Sequence, residues 1–263
     1  MKIPVDDDIS LRIATTTSFE PLLQRDPRTV FTTVSKAEQS RYRSIVNRTA
    51  GLHFLLGRYM LRRALSAESG SGIPPARWEI AADGHGKPRV LNREAASVRF
   101  SISHSGTAVA IALSRTHDPG LDLEPLARDH GAGLAARHLL SPAQCDQLRR
   151  VPGADRDALL ARVWCIKEAV SKACGLGLRL PFPTLEFDLM CLCNADPAGW
   201  LECRVRELGR FQFSLHTLAR RYLLCVAVTS PVPPGSARIA LKPFKPQPGR
   251  TRDTASKTMI VPL

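Results

Sequence analysis

The sequence predicts an α+β protein built of two halves, in each of which helices precede antiparallel strands. Apolar residues recur with helical spacing early in each half, whereas later segments alternate apolar and polar residues as strands do. An Asp-Pro-Gly turn at residues 118–120 separates the halves. This grouping of helices and strands is typical of an α+β fold.

Two helices are predicted early in the first half. Residues 35–38, Ser-Lys-Ala-Glu, form a capping-box pattern, so a helix should begin there and continue to about Val46. A second helix, from about Thr49 to Ser66, places its leucines and Tyr59 on one stripe. Three arginines lie off this stripe and are expected to face solvent or a phosphate: Arg58, Arg62 and Arg63.

The strands of the first half surround a glycine-rich loop. Short strands are predicted at 11–14 and 78–81, and a hairpin is predicted from the alternation in 98–103 and 107–113. Between them, the glycines of the loop at 83–88 allow close backbone approach, which would leave Lys87 uncrowded.

The second half opens with a strand at 120–124. Helices are then expected from Ser141 and around 163–172, the latter capped by Asp155 and stopped by two glycines at 175 and 177. Four strands should follow, at 185–188, 201–208, 211–218 and 222–228. We expect an N-terminal subdomain at 1–118, a C-terminal subdomain at 119–230 that carries the site, and a Pro-rich basic tail at 231–263, extended or disordered.

Composition limits the class of protein and its partners. A net charge of +13 argues for an acidic or phosphorylated partner. The seven cysteines, an odd number without framework spacing, favour reduced thiols in the cytoplasm. No apolar run is long enough for a membrane span, so we expect no membrane partner. We also expect the protein to be a cytoplasmic monomer.

Carboxylates from two predicted elements suggest a metal site. Trp164, Glu168 and Lys172 are spaced to share one helix face. On the strand, Asp122 and Glu124 alternate with leucines, so both carboxylates point to one side and repel unless a cation lies between them. Mg²⁺ prefers such oxygen ligands and usually also binds substrate phosphates. The pattern therefore predicts a magnesium site of Asp122, Glu124 and Glu168 for phosphoryl-type chemistry.

These motifs carry a family resemblance. Gly-Leu-Asp-Leu-Glu at 120–124, followed by Trp-Cys-Ile-Lys-Glu-Ala-Val-Ser-Lys at 164–172, resembles the paired signature of the Sfp-type 4'-phosphopantetheinyl transferases. Upstream matches stand in the family's order: Leu-Leu-Gly-Arg at 55–58, Gly-Lys-Pro at 86–88 and Phe-Ser-Ile-Ser-His-Ser-Gly at 100–106. The resemblance covers roughly residues 35–230.

The resemblance implies a pseudo-twofold pair of α+β subdomains and a Mg²⁺-dependent transfer of 4'-phosphopantetheine from coenzyme A to an acidic acyl or peptidyl carrier protein. Catalysis would involve Asp122, Glu168 and Lys172. Coenzyme A would be bound by five residues: His53, Lys87, Ser103, His104 and Lys172. Two positions depart from the family: His53 stands where many relatives have Arg, and Gln144 where they often have Glu.

Other interpretations remain open from the residues alone. Glu168 and Lys172 could be a surface ion pair beside a core Trp164, and the turn residues Ser103 and His104 could simply satisfy local backbone groups. The same acidic and basic residues on a basic protein could also serve a Mg²⁺-dependent nuclease or phosphoesterase, or the chain could be a nucleic-acid-binding module. Low aromatic content, 6%, and the absence of a stacking pattern argue against nucleic acid.

Overall fold

A computed structural model of the chain describes residues 9–95, 97–126, 138–193, 199–229 and 239–243. Its helices are α1 (Thr16–Arg25), α2 (Pro27–Thr33), α3 (Lys36–Ser44), α4 (Arg48–Glu68), α5 (Pro142–Arg149) and α6 (Gly153–Ala173). Its strands are β1 (Ile9–Thr15), β2 (Ile80–Ala82), β3 (Pro88–Val90), β4 (Arg99–Ser105), β5 (Ala108–Ser114), β6 (Pro119–Pro125), β7 (Leu185–Glu186), β8 (Leu201–Val205), β9 (Gly209–Leu218), β10 (Tyr222–Thr229) and β11 (Ile239–Pro243). Helices packed on largely antiparallel sheets confirm the predicted α+β class.

The described residues divide into two compact units. The first comprises residues 9–83, 88–116 and 239–243, without residue 96, and the second comprises 84–87, 117–126, 138–193 and 199–229. The predicted boundary at residue 118 lies near this division, whereas the loop at 84–87 belongs to the second unit. The subdomain assignment and its pseudo-twofold relation stay predictions. Within the described residues, no helix is both long and apolar enough to cross a membrane.

The first unit packs its helices on a four-stranded sheet of order β11-β1-β5-β4, beside the small β2-β3 hairpin. Leu55, Leu56 and Tyr59 of α4 are fully buried in this core, as the predicted stripe required. Arg62 of the same helix is also buried, with 2% exposure, so its expected position in solvent or on a phosphate is wrong. Its Nε donates to Glu38 of α3 at 2.6 Å, which compensates the burial of its charge.

The end of the chain corrects one expectation. Residues 239–243 form strand β11, which pairs in parallel with β1, in register from Ile9 opposite Ile239 to Ile13 opposite Pro243. The tail was expected to be extended or disordered; these five residues are extended and paired, so the expectation of disorder is wrong for them. A local count of Pro and Lys misses backbone pairing with the edge of a distant strand. The rest of the tail lies outside the described residues.

The second unit is an antiparallel sheet of order β6-β10-β9-β8-β7 with α6 packed against it. Pro152 occupies the N-cap position of α6, so Asp155, the expected cap, lies in the first turn instead. The predicted stop is present, because Gly175 adopts a left-handed conformation with φ 78° just after the helix. Val163, Ile166 and Val170 on its buried side join the core of this unit.

Candidate active site

A close contact between β6 and α6 builds the candidate site. A Cβ atom placed on Gly120 would lie 1.8 Å from the carbonyl oxygen of Ala169 and 2.4 Å from the nitrogen of Ala173. No other residue type can occupy this position without moving the strand from the helix. Gly120 thus sets the strand close enough for its next polar residues to reach the helix side chains.

Both acidic residues of β6 contact the predicted face of α6. The Nζ atom of Lys172 donates to Oδ1 of Asp122 at 2.6 Å, and the indole Nε1 of Trp164 donates to Oε1 of Glu124 at 2.9 Å. Asp122 and Glu124 are buried, with 4% and 8% exposure. The i, i+4, i+8 spacing on the helix therefore places its aromatic and cationic side chains against the two strand carboxylates.

Glu168 lies between these two contacts along the helix and is half-buried. Burial raises the pKa of its carboxyl; the Lys172 ammonium lowers this pKa, and the Asp122 and Glu124 carboxylates raise it further. The three acids are thus close enough to influence one another electrostatically. Such a carboxyl is a better proton acceptor, once ionised, than an exposed glutamate.

The predicted metal ligands are near one another but do not form a ready-made cage. Within the part of the chain that the structure describes, no three His, Cys, Asp or Glu side chains converge as a metal-binding group. Instead, the ammonium of Lys172 supplies the positive charge at Asp122. The donor set nevertheless fits Mg²⁺ chemically, because carboxylate oxygens are its usual protein ligands.

Lys87 is more enclosed than the sequence suggested. The glycine-rich loop was expected to leave Lys87 uncrowded, but only 9% of the surface of Lys87 is exposed. Its Nζ donates to Oδ1 of Asp118 at 2.5 Å and to the carbonyl of Ala173 at 3.0 Å. A cation at this carbonyl is favourable because Ala173 is the last residue of α6. Its predicted role in phosphate binding stays a prediction.

Three other predicted coenzyme A residues lie in the first unit. His53 of α4 and His104 of β4 stack with ring centroids 4.6 Å apart and planes 20° apart. The Nε2 atom of His53 is 2.9 Å from the carbonyl oxygen of Gly106, so this residue holds the hairpin turn. Ser103 is buried, whereas His104 is exposed. The structure thus brings the two histidines together, in the first unit, and the carboxylates together, in the second.

A buried lysine lies next to Glu168 in the sequence. Lys167 has no exposed surface, and its Nζ donates to the carbonyls of Leu139 at 2.6 Å and Phe182 at 2.8 Å and to Oε1 of Gln144 at 2.7 Å. Burial lowers the pKa of Lys167 to about 7. The departure at Gln144 therefore places an amide, rather than a carboxylate, beside this ammonium.

Two functional contacts were missed by sequence reasoning. Trp164 was assigned only to the shared helix face, but its indole N–H orients Glu124. Its i−4 spacing from Glu168 was a signal for this, since the strand acids had to meet the same face. Asp118 was assigned only to a turn, and no local pattern links it to Lys87.

Comparison with known proteins agrees with the resemblance carried by the sequence motifs. Residues 118–227 match the model of the 4'-phosphopantetheinyl transferase superfamily. This range contains β6, α6 and the five residues gathered between them: Asp122, Glu124, Trp164, Glu168 and Lys172.

Individual relatives agree with this match. The protein slr0495 of Synechocystis sp., assigned by name to the same transferases, is 34% identical over 105 residues, which are 40% of this chain and 42% of that protein. The 4'-phosphopantetheinyl transferase HetI of Nostoc sp. is 31% identical over 126 residues, 48% of this chain and 52% of its own length. The 4'-phosphopantetheinyl transferase of Bacillus subtilis is 24% identical over 169 residues, 64% of this chain and 72% of its own. The match thus spans about half the length of the first two relatives.

Proposed function

We propose that this protein is a 4'-phosphopantetheinyl transferase that moves the 4'-phosphopantetheine arm of coenzyme A to a serine of an acyl or peptidyl carrier protein and releases 3',5'-ADP. The observation that supports the proposal is the grouping of Asp122, Glu124, Glu168 and Lys172 where β6 packs on α6, inside the range that matches the superfamily model. The net charge of +13 suits an acidic carrier protein. A cytoplasmic monomer stays part of this proposal.

Asp122, Glu124 and Glu168 are the residues that would hold Mg²⁺. When bound, the ion would neutralise the pyrophosphate charge of coenzyme A and fix the substrate in line for attack. The ammonium of Lys172 forms an ion pair with Asp122. We expect it to exchange this carboxylate for a phosphate of the bound substrate. The all-oxygen donor set supports this assignment, and a metal-dependence assay tests it.

The chemistry requires one bond to form and one to break. The serine oxygen attacks the phosphorus that bears the pantetheine arm, the bond from that phosphorus to the bridging pyrophosphate oxygen breaks, and its electron pair leaves with 3',5'-ADP. The serine proton must pass to a base. Glu168 is our candidate, because burial raises the pKa of its carboxyl and places it nearer the working pH.

The remaining coenzyme A contacts are proposed for Lys87, Ser103, His104 and His53. The ammonium of Lys87 forms an ion pair with Asp118, so this pair would have to break before Lys87 could bind a phosphate. His104 is exposed and can donate to an anion. His53 already contacts Gly106, so we assign it chiefly to positioning the turn that carries His104.

A single assay tests the function. The full chain is incubated with Mg²⁺, coenzyme A and an apo carrier protein, and the carrier is weighed by mass spectrometry. We expect the carrier to gain one phosphopantetheine, and a chelator to abolish the gain. Asp122→Ala and Glu168→Gln should each remove about 2–4 kcal/mol of transition-state stabilisation, as expected for loss of a preorganised electrostatic group.

Controls separate the transferase from the open alternatives. Glu202→Gln, an exposed carboxylate on β8, should transfer at the parent rate. The same protein is offered single- and double-stranded nucleic acid with Mg²⁺. Cleavage of the nucleic acid, together with an unmodified carrier protein, would contradict the proposed transferase function and support a nuclease.

A further inference from the structure

An open cavity of about 700 Å³ lies in the first compact unit, and none of the residues assigned above to catalysis or coenzyme A line it. Its charged lining residues come from α3, α4 and the segment before β2: Glu38, Arg41, Arg58, Arg62, Arg77 and Glu79. Four guanidinium groups thus meet two carboxylates. The volume is that of a typical small-molecule site.

One acid and one base of this set satisfy each other. Oε2 of Glu38 accepts from Nε of Arg62 at 2.6 Å and from the backbone N–H of Ser35 at 3.0 Å. Arg62 also donates to the carbonyls of Pro75 at 2.8 Å and Trp78 at 3.0 Å. This buried pair is therefore part of the fold. The other charged residues of the lining are three arginines and one acid, Glu79.

Arg58 is the least satisfied of those three. Its Nε forms an ion pair with Oε1 of Glu38 at 3.7 Å, which is beyond hydrogen-bond distance, and its guanidinium lies over the ring of Phe54 at 5.5 Å. Its Nη1 atom is buried and has no hydrogen-bond partner among the described residues. Burial also lowers the pKa of Arg58. A buried guanidinium that is short of acceptors is unfavourable, and an anion in the cavity, bound by the part of the Arg58 side chain that keeps 22% exposure, would supply a compensating negative charge.

The uncharged part of the lining is apolar apart from Ser35. Phe54 is half-buried at the side of Arg58, Ile80 lies on β2, and Leu91 keeps 54% of its surface exposed at the rim. Arginine side chains suit the oxygens of phosphate, and three arginines against one carboxylate leave a positive charge of two, which a phosphate dianion would neutralise. We propose that this cavity binds a small phosphate ester, with its phosphate on Arg58, Arg41 and Arg77 and an apolar group on Phe54 and Leu91.

Two sources could provide such a ligand. One is a free phosphorylated metabolite, and the other is a phosphate-bearing end of coenzyme A, the substrate in the proposed function. Both present the same chemistry to the arginines. Binding of the isolated ester does not depend on transferase activity, so the cavity can be tested even if the proposed function fails.

The test uses phenyl phosphate as the probe, titrated into the full chain by calorimetry at fixed ionic strength. We expect one saturable site, weaker binding of inorganic phosphate, and no binding of phenol. Arg58→Met should raise the Kd by about tenfold or more. Arg63→Met is the matched control: Arg63 is on the same helix with its guanidinium 5.5 Å over the ring of Tyr59, but it does not line the cavity.

The outcomes are decisive in each arm. Absence of binding, or equal Kd values for the parent, Arg58→Met and Arg63→Met, overturns the proposal. If Arg58→Met melts early, the exposed Arg77→Met variant takes its place and must show the same loss of affinity. Coenzyme A that displaces phenyl phosphate, and binds more weakly to the arginine variants, identifies the substrate as the source. Simultaneous binding of both ligands identifies a separate phosphorylated molecule.

Discussion

The ammonium of Lys172 donates to the buried carboxylate of Asp122 at 2.6 Å, across the contact between α6 and β6. Lys172 keeps 29% of its side chain exposed, whereas Asp122 keeps 6%. Loss of the lysine would therefore leave a buried charge, while loss of the acid would leave a cation with access to water. The pair is asymmetric, and its removal from either side should have different consequences.

Lys172→Met should destabilise the metal-free protein more than Asp122→Asn does. An uncompensated buried carboxylate costs about 3–5 kcal/mol, and a neutral amide much less. Urea unfolding of the two variants and the double variant gives the coupling energy. The double variant should recover stability relative to Lys172→Met, and strict additivity would contradict a direct ion pair.

Glu168→Gln should stabilise the metal-free protein at neutral pH although it lowers transferase activity. Because the folded-state pKa of Glu168 lies above the unfolded value, its contribution is most favourable at low pH and is lost as the pH rises through that folded pKa. The amide removes this loss. The melting temperature of Glu168→Gln relative to the parent should therefore increase between pH 4 and 8, whereas that of the control Glu202→Gln relative to the parent should not change with pH.

Gly120→Ala should be strongly destabilising, by about 3 kcal/mol or more, because its Cβ would overlap the backbone of α6. Gly153→Ala is the control. A Cβ at Gly153 meets nothing within 4 Å, and alanine in the first turn of α6 should be neutral or slightly favourable. Comparable denaturation midpoints for the two variants would show that β6 can move away from the helix at little cost.

The burial of Lys167 should make stability rise with pH. The folded pKa of Lys167 is about 7 and the unfolded pKa is about 10.4, so the unfolded chain binds the extra proton between these values. Stability should rise there by up to about 1.4 kcal/mol per pH unit. Gln144→Glu places a carboxylate on the ammonium, raises the lysine pKa and should flatten this slope. Parallel slopes for parent and variant in denaturant titrations at pH 7–9.5 would refute the assignment.

Ending the chain after Thr229 should destabilise the first unit, because β1 loses the strand that pairs with its edge. We expect a loss of about 1–3 kcal/mol. A chain ended after Pro243 keeps β11 and is the control. If both truncated proteins melt together, the β1–β11 pairing contributes nothing to stability.

The candidate site was largely predictable because its residues lie in local patterns. Alternation placed Asp122 and Glu124 on one side of a strand, and helical spacing placed Trp164, Glu168 and Lys172 on one face. Both periods are properties of a single element, so they can be read without knowing what packs against it. The capping box at Ser35 was found for the same reason.

Contacts between distant residues could not be predicted in this way. The Lys87–Asp118 ion pair and the stacking of His53 on His104 join elements that only the tertiary fold brings together. The same holds for β11, whose partner is at the other end of the chain. Helices α1 and α2 were also missed, because their few apolar residues, such as Phe19 and Val30, give weak periodicity over short lengths.

The position of Lys87 limits how this gene can be divided or recombined. The four residues 84–87 group with the second unit, whereas the residues on either side of them group with the first. A fragment that begins at residue 117 contains β6 to β10 and α6 but lacks Lys87. Its ammonium donates to Asp118 and to the carbonyl of Ala173, the last residue of α6. Exchange of one half for that of a relative would likewise separate this lysine from its acceptors. Shuffling of the halves therefore has to carry the loop together with the distant segment that it stabilises.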